Sequence, residues 1–193
     1  MNHFFGTLDT NARSIMLIGL LTRLVTLVLG FFIVTTLPIN IVRIVGDALI
    51  FTGALIYYFG EDANRDVKNI YGASLFVILA SIAGIVLGLI QVDLPIYVTL
   101  GIDVAILAFE LFAICDICLF TTNYLEDTLT KVLTIIVLIL TVIAIFARFM
   151  WMFWTINQVA VDAIAVLNMI VVCSVIGCFV LTFANLIIFN VKE

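Results

Sequence analysis

The chain has 193 residues, of which 65% are apolar and 11% are charged, and its mean hydropathy is +1.36. Soluble proteins are roughly 45–50% apolar and about 25% charged, so the composition predicts an integral membrane protein. The net charge of −5 and the few Lys and Arg residues argue against nucleic acid as a partner and against a polybasic lipid-binding tail. Membrane lipid is the partner that the composition implies.

Six apolar segments are each long enough to cross a bilayer as a helix, which takes about 20 residues. After a polar lead-in over 1–13, and with Pro38 predicted to end the first of them, the spans are 14–37, 40–60, 70–91, 95–120, 132–154 and 159–189. The sequence therefore predicts an all-α fold, a single transmembrane bundle over 1–193. Short connections between spans 1 and 2, 3 and 4, and 5 and 6 favour three helical hairpins.

Basic residues cluster on one side of the predicted bundle. The N-terminus, the 2–3 loop, the 4–5 loop and the C-terminus hold Arg13, Arg65, Lys68, Lys131 and Lys192, whereas the opposite side has only short turns. Because positively charged residues favour the cytoplasmic side, both termini are predicted to be cytoplasmic. A bacterial plasma membrane and an organelle membrane fit the sequence equally well.

The fourth span carries Asp103 and Glu110, and a charge at the bilayer centre costs roughly 2.5–3.5 kcal/mol or more. Two helical turns separate these residues, so they share one helix face and lie about 10 Å apart along the axis. Counting at about 1.5 Å per residue from the turns predicts two polar layers. The outer layer holds Arg43, Asp47, Asp103, Arg148 and Asp162, with Arg43 and Asp47 spaced for an i, i+4 pair, and the inner layer holds Arg23 and Glu110.

These predicted layers bring three arginines together with four carboxylates, so one carboxylate lacks a full partner. Removal from water disfavours the charged form of that carboxylate, which predicts a titratable layer that responds to protons or cations. The alternative is that the buried pairs only fix the order and register of the helices. Few Ser, Thr, Asn and Gln residues occur in the spans, and this favours the alternative, because pumps and channels usually have more polar linings.

Small residues on the third span follow a small-xxx-small pattern formed by Ala80, Gly84 and Gly88. A stripe of this kind lets helix backbones approach closely. It predicts helix packing inside the bundle, and a homodimer face is the alternative.

Motifs for catalysis are sparse. Cys115 and Cys118 form a C-x-x-C, but reactive pairs sit at helix N-termini, whereas this pair lies late in a helix with Asp116 between its members. Apolar packing is therefore the favoured interpretation of the cysteines. His3 of the lead-in is the one His, so the spans offer no His-based metal site and no His general base. We predict that the chain is not an enzyme and binds no cofactor or metal.

A short sequence pattern recurs after each outer turn. LPINIVRIVGDALIF (37–51) is similar to LPIYVTLGIDVAILAF (94–109), and INQVAVDAIAVL (156–167) is a weaker copy, although apolar helices also look alike by chance. In 30–53 and in 84–110, a Gly, an apolar run, a Pro and a second apolar helix follow one another. This arrangement resembles the HdeD-like small membrane proteins. The resemblance implies six spans with short repeats and a link to acid stress, without a defined catalytic site.

Three function classes follow from these observations. The first is a small transporter, channel or stress-response membrane protein with a titratable carboxylate layer, which the unpaired intramembrane charge favours. The second is a structural subunit that packs against other membrane proteins or against a second copy of itself, which the small mass outside the membrane favours. The third is a membrane thiol oxidoreductase, for which the C-x-x-C is the only argument.

Overall fold

The computed structural model describes residues 2–32, 37–58, 65–90, 94–125, 127–158 and 161–192, and the regular elements in these ranges are six helices. Their bounds are α1 Asn2–Phe32, α2 Leu37–Tyr58, α3 Arg65–Leu89, α4 Ile96–Leu125, α5 Thr128–Ile156 and α6 Val161–Lys192. Each helix contains a stretch that is long and apolar enough to cross a membrane. The predicted all-α fold with six transmembrane helices is confirmed.

The first two helices differ from the predicted spans at their ends. α1 begins at Asn2, because the predicted lead-in contains no Pro that would interrupt a helix. Pro38 is the second residue of α2 and does not end the first span. Pro is tolerated there because the first backbone N–H groups of a helix have no intrahelical acceptor. Residues 33–36, where the first span was predicted to end, lie outside the described ranges.

α5 begins earlier than its predicted start at 132, because Asp127 caps it. The Asp127 carboxylate accepts a hydrogen bond from the backbone N–H of Thr130 at 3.4 Å, and the Thr130 hydroxyl donates to the Asp127 carbonyl at 2.9 Å. An Asp at this position satisfies one of the unpaired backbone donors at a helix start. α4 likewise continues beyond its predicted end at 120, as far as Leu125.

Helices that follow one another in the chain pack together, and the most extensive contacts join α1 with α2, α5 with α6, and α3 with α4. α6 also packs against α1, which closes a ring, and α4 reaches across the ring to α6. Because each helix spans the apolar thickness, successive helices run in opposite directions. We call the end with the α1–α2, α3–α4 and α5–α6 connections the turn side, and the end with both termini the terminal side.

The apolar core fills the middle of the bundle and its terminal-side half. Its large buried side chains include Met16 and Leu20 of α1, Ile114 of α4, and Phe179 and Phe189 of α6. The outward faces of all six helices carry large exposed apolar side chains. A surface of this kind suits a protein surrounded by lipid, where only the polar groups need to be turned inward.

α1 and α2 approach each other closely at glycine positions. A Cβ built on Gly19 would lie 2.8 Å from the carbonyl oxygen of Gly46, and a Cβ built on Gly53 would lie 2.8 Å from the carbonyl oxygen of Ala12. Backbone atoms at that distance leave no room for a side chain, so glycine makes this contact possible. The interface of small residues therefore lies between α1 and α2, whereas the sequence placed it on α3.

The prediction that Ala80, Gly84 and Gly88 pack inside the bundle is wrong at Gly84. Gly84 is exposed, and a Cβ built on it would meet no heavy atom within 4 Å. Ala80 is half-buried, and the surroundings of Gly88 lie outside the description. The physical reason is that none of the described residues packs closely against this face of α3 at Gly84.

Candidate functional site

The charged centre of the bundle is built around Arg23 of α1, whose side chain is 2% exposed. Its Nε lies 2.8 Å from Oδ1 of Asp47 on α2, and its Nη2 donates to Oε1 of Glu110 on α4. Its Nη1 donates to the hydroxyl of Thr26 at 3.2 Å. One guanidinium group thus binds two carboxylates from two other helices. We call Arg23, Asp47 and Glu110 the charge cluster.

Local sequence explains how the Arg23 side chain fits between helices. Gly46 precedes Asp47, and a Cβ at Gly46 would lie 2.9 Å from Cγ of Arg23. The missing side chain therefore leaves space for the stem of the arginine against α2. On the opposite side, the ring of Phe179 from α6 lies 5.6 Å from Cζ of Arg23. This is a distance at which an aromatic face attracts a cation.

A small cavity lies beside the charge cluster. Its polar wall consists of Asp47, Ser74 of α3 and Glu110, and its apolar wall of Ile50, Val77, Ala113, Ile114 and Phe179. The cavity leaves about 10 Å³ for the centre of a water molecule. Asp47 is 3% exposed, and its Oδ2 atom has no hydrogen-bond partner among the described residues. A buried carboxylate oxygen is normally satisfied by protein or by ordered water.

The predicted pair between Arg43 and Asp47 is not formed, and Asp47 does not belong to a separate outer layer. Arg43 donates from Nη2 to the hydroxyl of Ser81 on α3 at 3.3 Å, while Asp47 turns toward Arg23. Arg43 still acts electrostatically on both Asp47 and Arg23. The long arginine side chain of α1 reaches one turn further than a count of backbone rise allows, and this explains the error.

A second ion pair lies closer to the turn side. Nη2 of Arg148 on α5 lies 3.2 Å from Oδ2 of Asp103 on α4, and its Nη1 donates to Oδ1 of Asn168 on α6 at 3.5 Å. The guanidinium also stacks on the ring of Trp151 at 4.1 Å. Asp103 and Arg148 are therefore brought together. Asp162 is not brought to them, since it is exposed near the start of α6 and makes no ion pair within the described ranges.

Inward-facing residues are more exposed in the turn-side half of the bundle than in the terminal-side half. By helical spacing, Asp103 lies on the core face of α4, because Leu100 and Glu110 on the same face are buried. The side chain of Asp103 is nevertheless 50% exposed. Asn168 of α6 is likewise exposed, although Val171 and Val175 on the same helix face are buried. Gly84 occupies the corresponding position on α3, beyond buried Ser81.

Gly84, Asp103 and Asn168 share two properties. Each lies on the inward face of its helix by helical spacing, and each is exposed. From their exposure we infer a crevice that opens on the turn side and is bordered by Gly84, Asp103 and Asn168. Within the charge cluster, Glu110 keeps the largest exposed fraction, with 10% of its side chain exposed against 4% for Asp47.

A set of buried hydroxyl, amide and thiol groups was missed by the sequence reasoning. The Thr134 hydroxyl of α5 contacts the Thr122 hydroxyl at 2.6 Å, accepts from Nδ2 of Asn185 at 3.2 Å and donates to the carbonyl of Cys118 at 3.2 Å. The thiol of Cys118 contacts the hydroxyl of Thr182 at 3.2 Å. We call these five residues the hydroxyl cluster. The sequence of α5 could have indicated it, because Thr130, Thr134 and Thr141, which are buried, recur on one helix face.

The cysteines lie among these polar groups. Cys115, Cys118 and Cys178 are buried, and the thiol of Cys115 contacts the Thr141 hydroxyl at 3.1 Å. None of the four cysteines is in a disulfide. The contacts explain how the thiols are accommodated in the core, and the thiol oxidoreductase alternative stays a prediction.

Within the described residues, no group of three His, Cys, Asp or Glu side chains is arranged to hold a metal ion. Comparison with protein-family models, with curated proteins and with solved structures finds no match for the chain. The fold and the two ion-pair groups are therefore the basis for any functional conclusion.

Proposed function

We propose that this integral membrane protein is a small transporter or channel that binds a cation reversibly at Asp47 and Glu110 in the middle of the bilayer. The observation that carries the proposal is the sharing of one buried arginine by two buried carboxylates, with one Asp47 oxygen that has no partner among the described residues. The cluster combines a strong anion-binding group with an incomplete set of contacts. A purely structural ion pair would be expected to be complete.

The charges of the cluster favour the uptake of one more cation. Arg23 offers one positive charge to two carboxylates, and Arg43 compensates only from a distance. An uncompensated negative charge is costly in the apolar interior of a membrane protein. A proton or another small cation that binds Asp47 or Glu110 removes that cost, whereas its release restores it.

The crevice provides the route by which a cation reaches the cluster. Asp103 is half exposed on its wall, and Arg148 and Asn168 are hydrogen-bonded at the same level. Polar and charged groups on the inward faces of membrane helices are typical of ion pathways. An ion entering from the turn side passes Asp103 first, and Glu110 is the most exposed carboxylate of the charge cluster beyond it.

Binding at Glu110 would also act on the packing of the helices. The Arg23–Glu110 pair is the contact that ties α4 to α1, and neutralisation of the carboxylate weakens it. α4 then gains freedom to shift relative to the α1–α2 hairpin. Local changes in charge of this kind drive larger movements in proteins that have two packing arrangements.

The proposal is tested by reconstitution of the purified protein into liposomes that contain a pH-sensitive dye and fluorescent indicators for Na⁺ and K⁺. We expect a cation flux in the wild type that Glu110→Gln and Asp47→Asn each abolish. Asp162→Asn is the matched control, because Asp162 is exposed and outside both ion-pair groups. Thermal unfolding in detergent shows whether each variant folds. Equal flux in all four folded proteins would refute the proposal.

A structural subunit is the second candidate, and one observation favours it. Arg23 ties three helices together, as expected if the cluster only fixes their order. Loss of folding without any cation flux in the wild type would support this alternative, and stable co-purification with another membrane protein in mild detergent would identify the partner. The cytoplasmic position of both termini and the likeness to HdeD-like proteins stay predictions, and neither is needed for the proposal.

A further inference from the structure

We infer that the cation is a proton, and that a single water molecule in the cavity beside the charge cluster carries it between Glu110 and Asp47. This inference rests on the proposed function and specifies the ion and its path. It stands on three features of the site: the Oδ2 of Asp47, which has no partner among the described residues, the size of the cavity, and the positions of the groups that line it.

The cavity fits one water molecule. Its volume for a water centre is about 10 Å³, and a buried water needs roughly 10–15 Å³ by this measure together with two to four polar partners. Asp47, Ser74 and Glu110 supply these partners from three different helices. A water in this place would donate to Oδ2 of Asp47, the buried oxygen that has no hydrogen-bond partner among the described residues.

A metal cation fits the same cavity poorly. Three polar side chains line it, whereas Mg²⁺ and Ca²⁺ take six or more oxygen ligands. The guanidinium of Arg23 already lies against both carboxylates, and Arg43 adds positive charge from the turn side. The carboxylate oxygens that Arg23 contacts are therefore not available as ligands for a metal cation. A proton avoids both difficulties because it needs no ligand shell and neutralises the oxygen to which it binds.

Transfer through the water is a balanced step. Protonated Glu110 gives its proton to the water oxygen, which breaks one O–H bond and forms another. The water then releases a different proton to Oδ2 of Asp47, so the water is regenerated and one proton has moved from α4 to α2. Ser74 can hold the water in position through its hydroxyl, which both donates and accepts hydrogen bonds.

Charged groups from the surrounding helices determine where the proton rests. Arg23 faces both carboxylates from α1, and Arg43 of α2 acts electrostatically on Asp47 from one turn nearer the turn side. From α5, Arg148 is engaged by Asp103 and lies nearer the turn side, while α6 contributes the apolar ring of Phe179. Further along α4, buried Asp116 is the next carboxylate toward the terminal side.

The test fills the cavity without removing a polar group. Ala113 lines it and is 4% exposed, so Ala113→Val places two more carbon atoms where the water would stand. Val77→Ile fills it from α3 if Ala113→Val does not fold. Ala144→Val is the matched control, because Ala144 is a fully buried helical alanine that does not line the cavity.

We expect liposomes with the wild-type protein to acidify internally when the outside buffer is made more acidic, as reported by the dye. The rate of acidification should be the same in Na⁺ and in K⁺ buffers. A cavity-filling variant should lower this rate by about a hundredfold, the lower range for loss of a positioned proton-transfer group, and Ala144→Val should leave it unchanged. Infrared difference spectra should show a carboxyl C=O band that shifts in D₂O and disappears in Glu110→Gln.

The outcomes separate the inference from the proposed function. If both folded cavity-filling variants conduct like the wild type while Glu110→Gln does not, the water path is wrong and the cation site stands. If the wild type moves Na⁺ or K⁺ and no protons, the identity of the ion is wrong. If Glu110→Gln and Asp47→Asn conduct normally, the proposed function fails together with the inference.

Discussion

Arg23 and Glu110 are separated by 87 residues in the chain, and their side chains form a buried ion pair between α1 and α4. The same arginine binds Asp47 of α2, so one cation ties the α1–α2 hairpin to the α3–α4 hairpin. Removing one member of a buried pair leaves charge without compensation in a medium of low polarity. This arrangement has consequences for stability that can be measured separately from ion flux.

Arg23→Met should destabilise the protein by about 3–5 kcal/mol, because it leaves Asp47 and Glu110 buried without a cation. Arg148→Met should cost only about 0–1 kcal/mol, because its partner Asp103 is half exposed. Chemical unfolding in detergent, followed by tryptophan fluorescence, measures both values. A similar loss of stability in the two variants would show that the charge cluster contributes no more to stability than the Arg148–Asp103 pair.

Replacement of the whole cluster distinguishes a structural role from a functional one. The triple variant Arg23→Met, Asp47→Leu, Glu110→Leu removes every charge of the cluster, and apolar replacements of complete ion-pair groups are often neutral or stabilising. We expect it to recover most of the stability lost in Arg23→Met and to show no cation flux. A stable triple variant with normal flux would leave the cluster without a functional role.

Two glycines that look equivalent in the sequence should respond differently to alanine. Gly19→Ala places a Cβ 2.8 Å from the backbone of α2, so it should destabilise the protein by roughly 1–3 kcal/mol, as expected for overpacking. Gly84→Ala meets no atom within 4 Å and should stabilise its helix by about 0.5–1 kcal/mol. Thermal unfolding of the two variants checks the prediction. Equal destabilisation would mean that the turn-side crevice is closed at α3.

The number of helices and their approximate positions could be predicted from the sequence, because a bilayer requires about 20 apolar residues per span. The shared height of Arg23 and Glu110 also follows from residue counts, and the structure places the two in one ion pair. Counting could not assign Asp47 to the same group, because it gives height along a helix and ignores helix tilt and side-chain reach. An arginine side chain reaches across more than one turn.

Packing between helices was harder to predict than position along them. Small residues occur on α1, α2 and α3, and composition alone does not tell which stripe has a neighbour. The structure brings Gly19 against Gly46 and leaves Gly84 open. The hydroxyl cluster was missed for a related reason, since single threonines are unremarkable in a membrane helix. Only the contact between α4, α5 and α6 shows that their threonines meet.

The hydroxyl cluster should contribute to stability mainly through Thr134, which contacts Thr122, Asn185 and the carbonyl of Cys118. Thr134→Val keeps the shape of the side chain and removes all three hydrogen bonds. The Asn185 amide nitrogen then loses its acceptor at this position. Because buried polar groups that lose their partners cost about 1–3 kcal/mol, we expect a loss of that size in thermal unfolding. Thr52→Val is the control, since Thr52 is exposed and donates only to the carbonyl of Ala48 within its own helix. If the two valine variants unfold at the same temperature, the polar contacts between α4, α5 and α6 do not stabilise this half of the bundle.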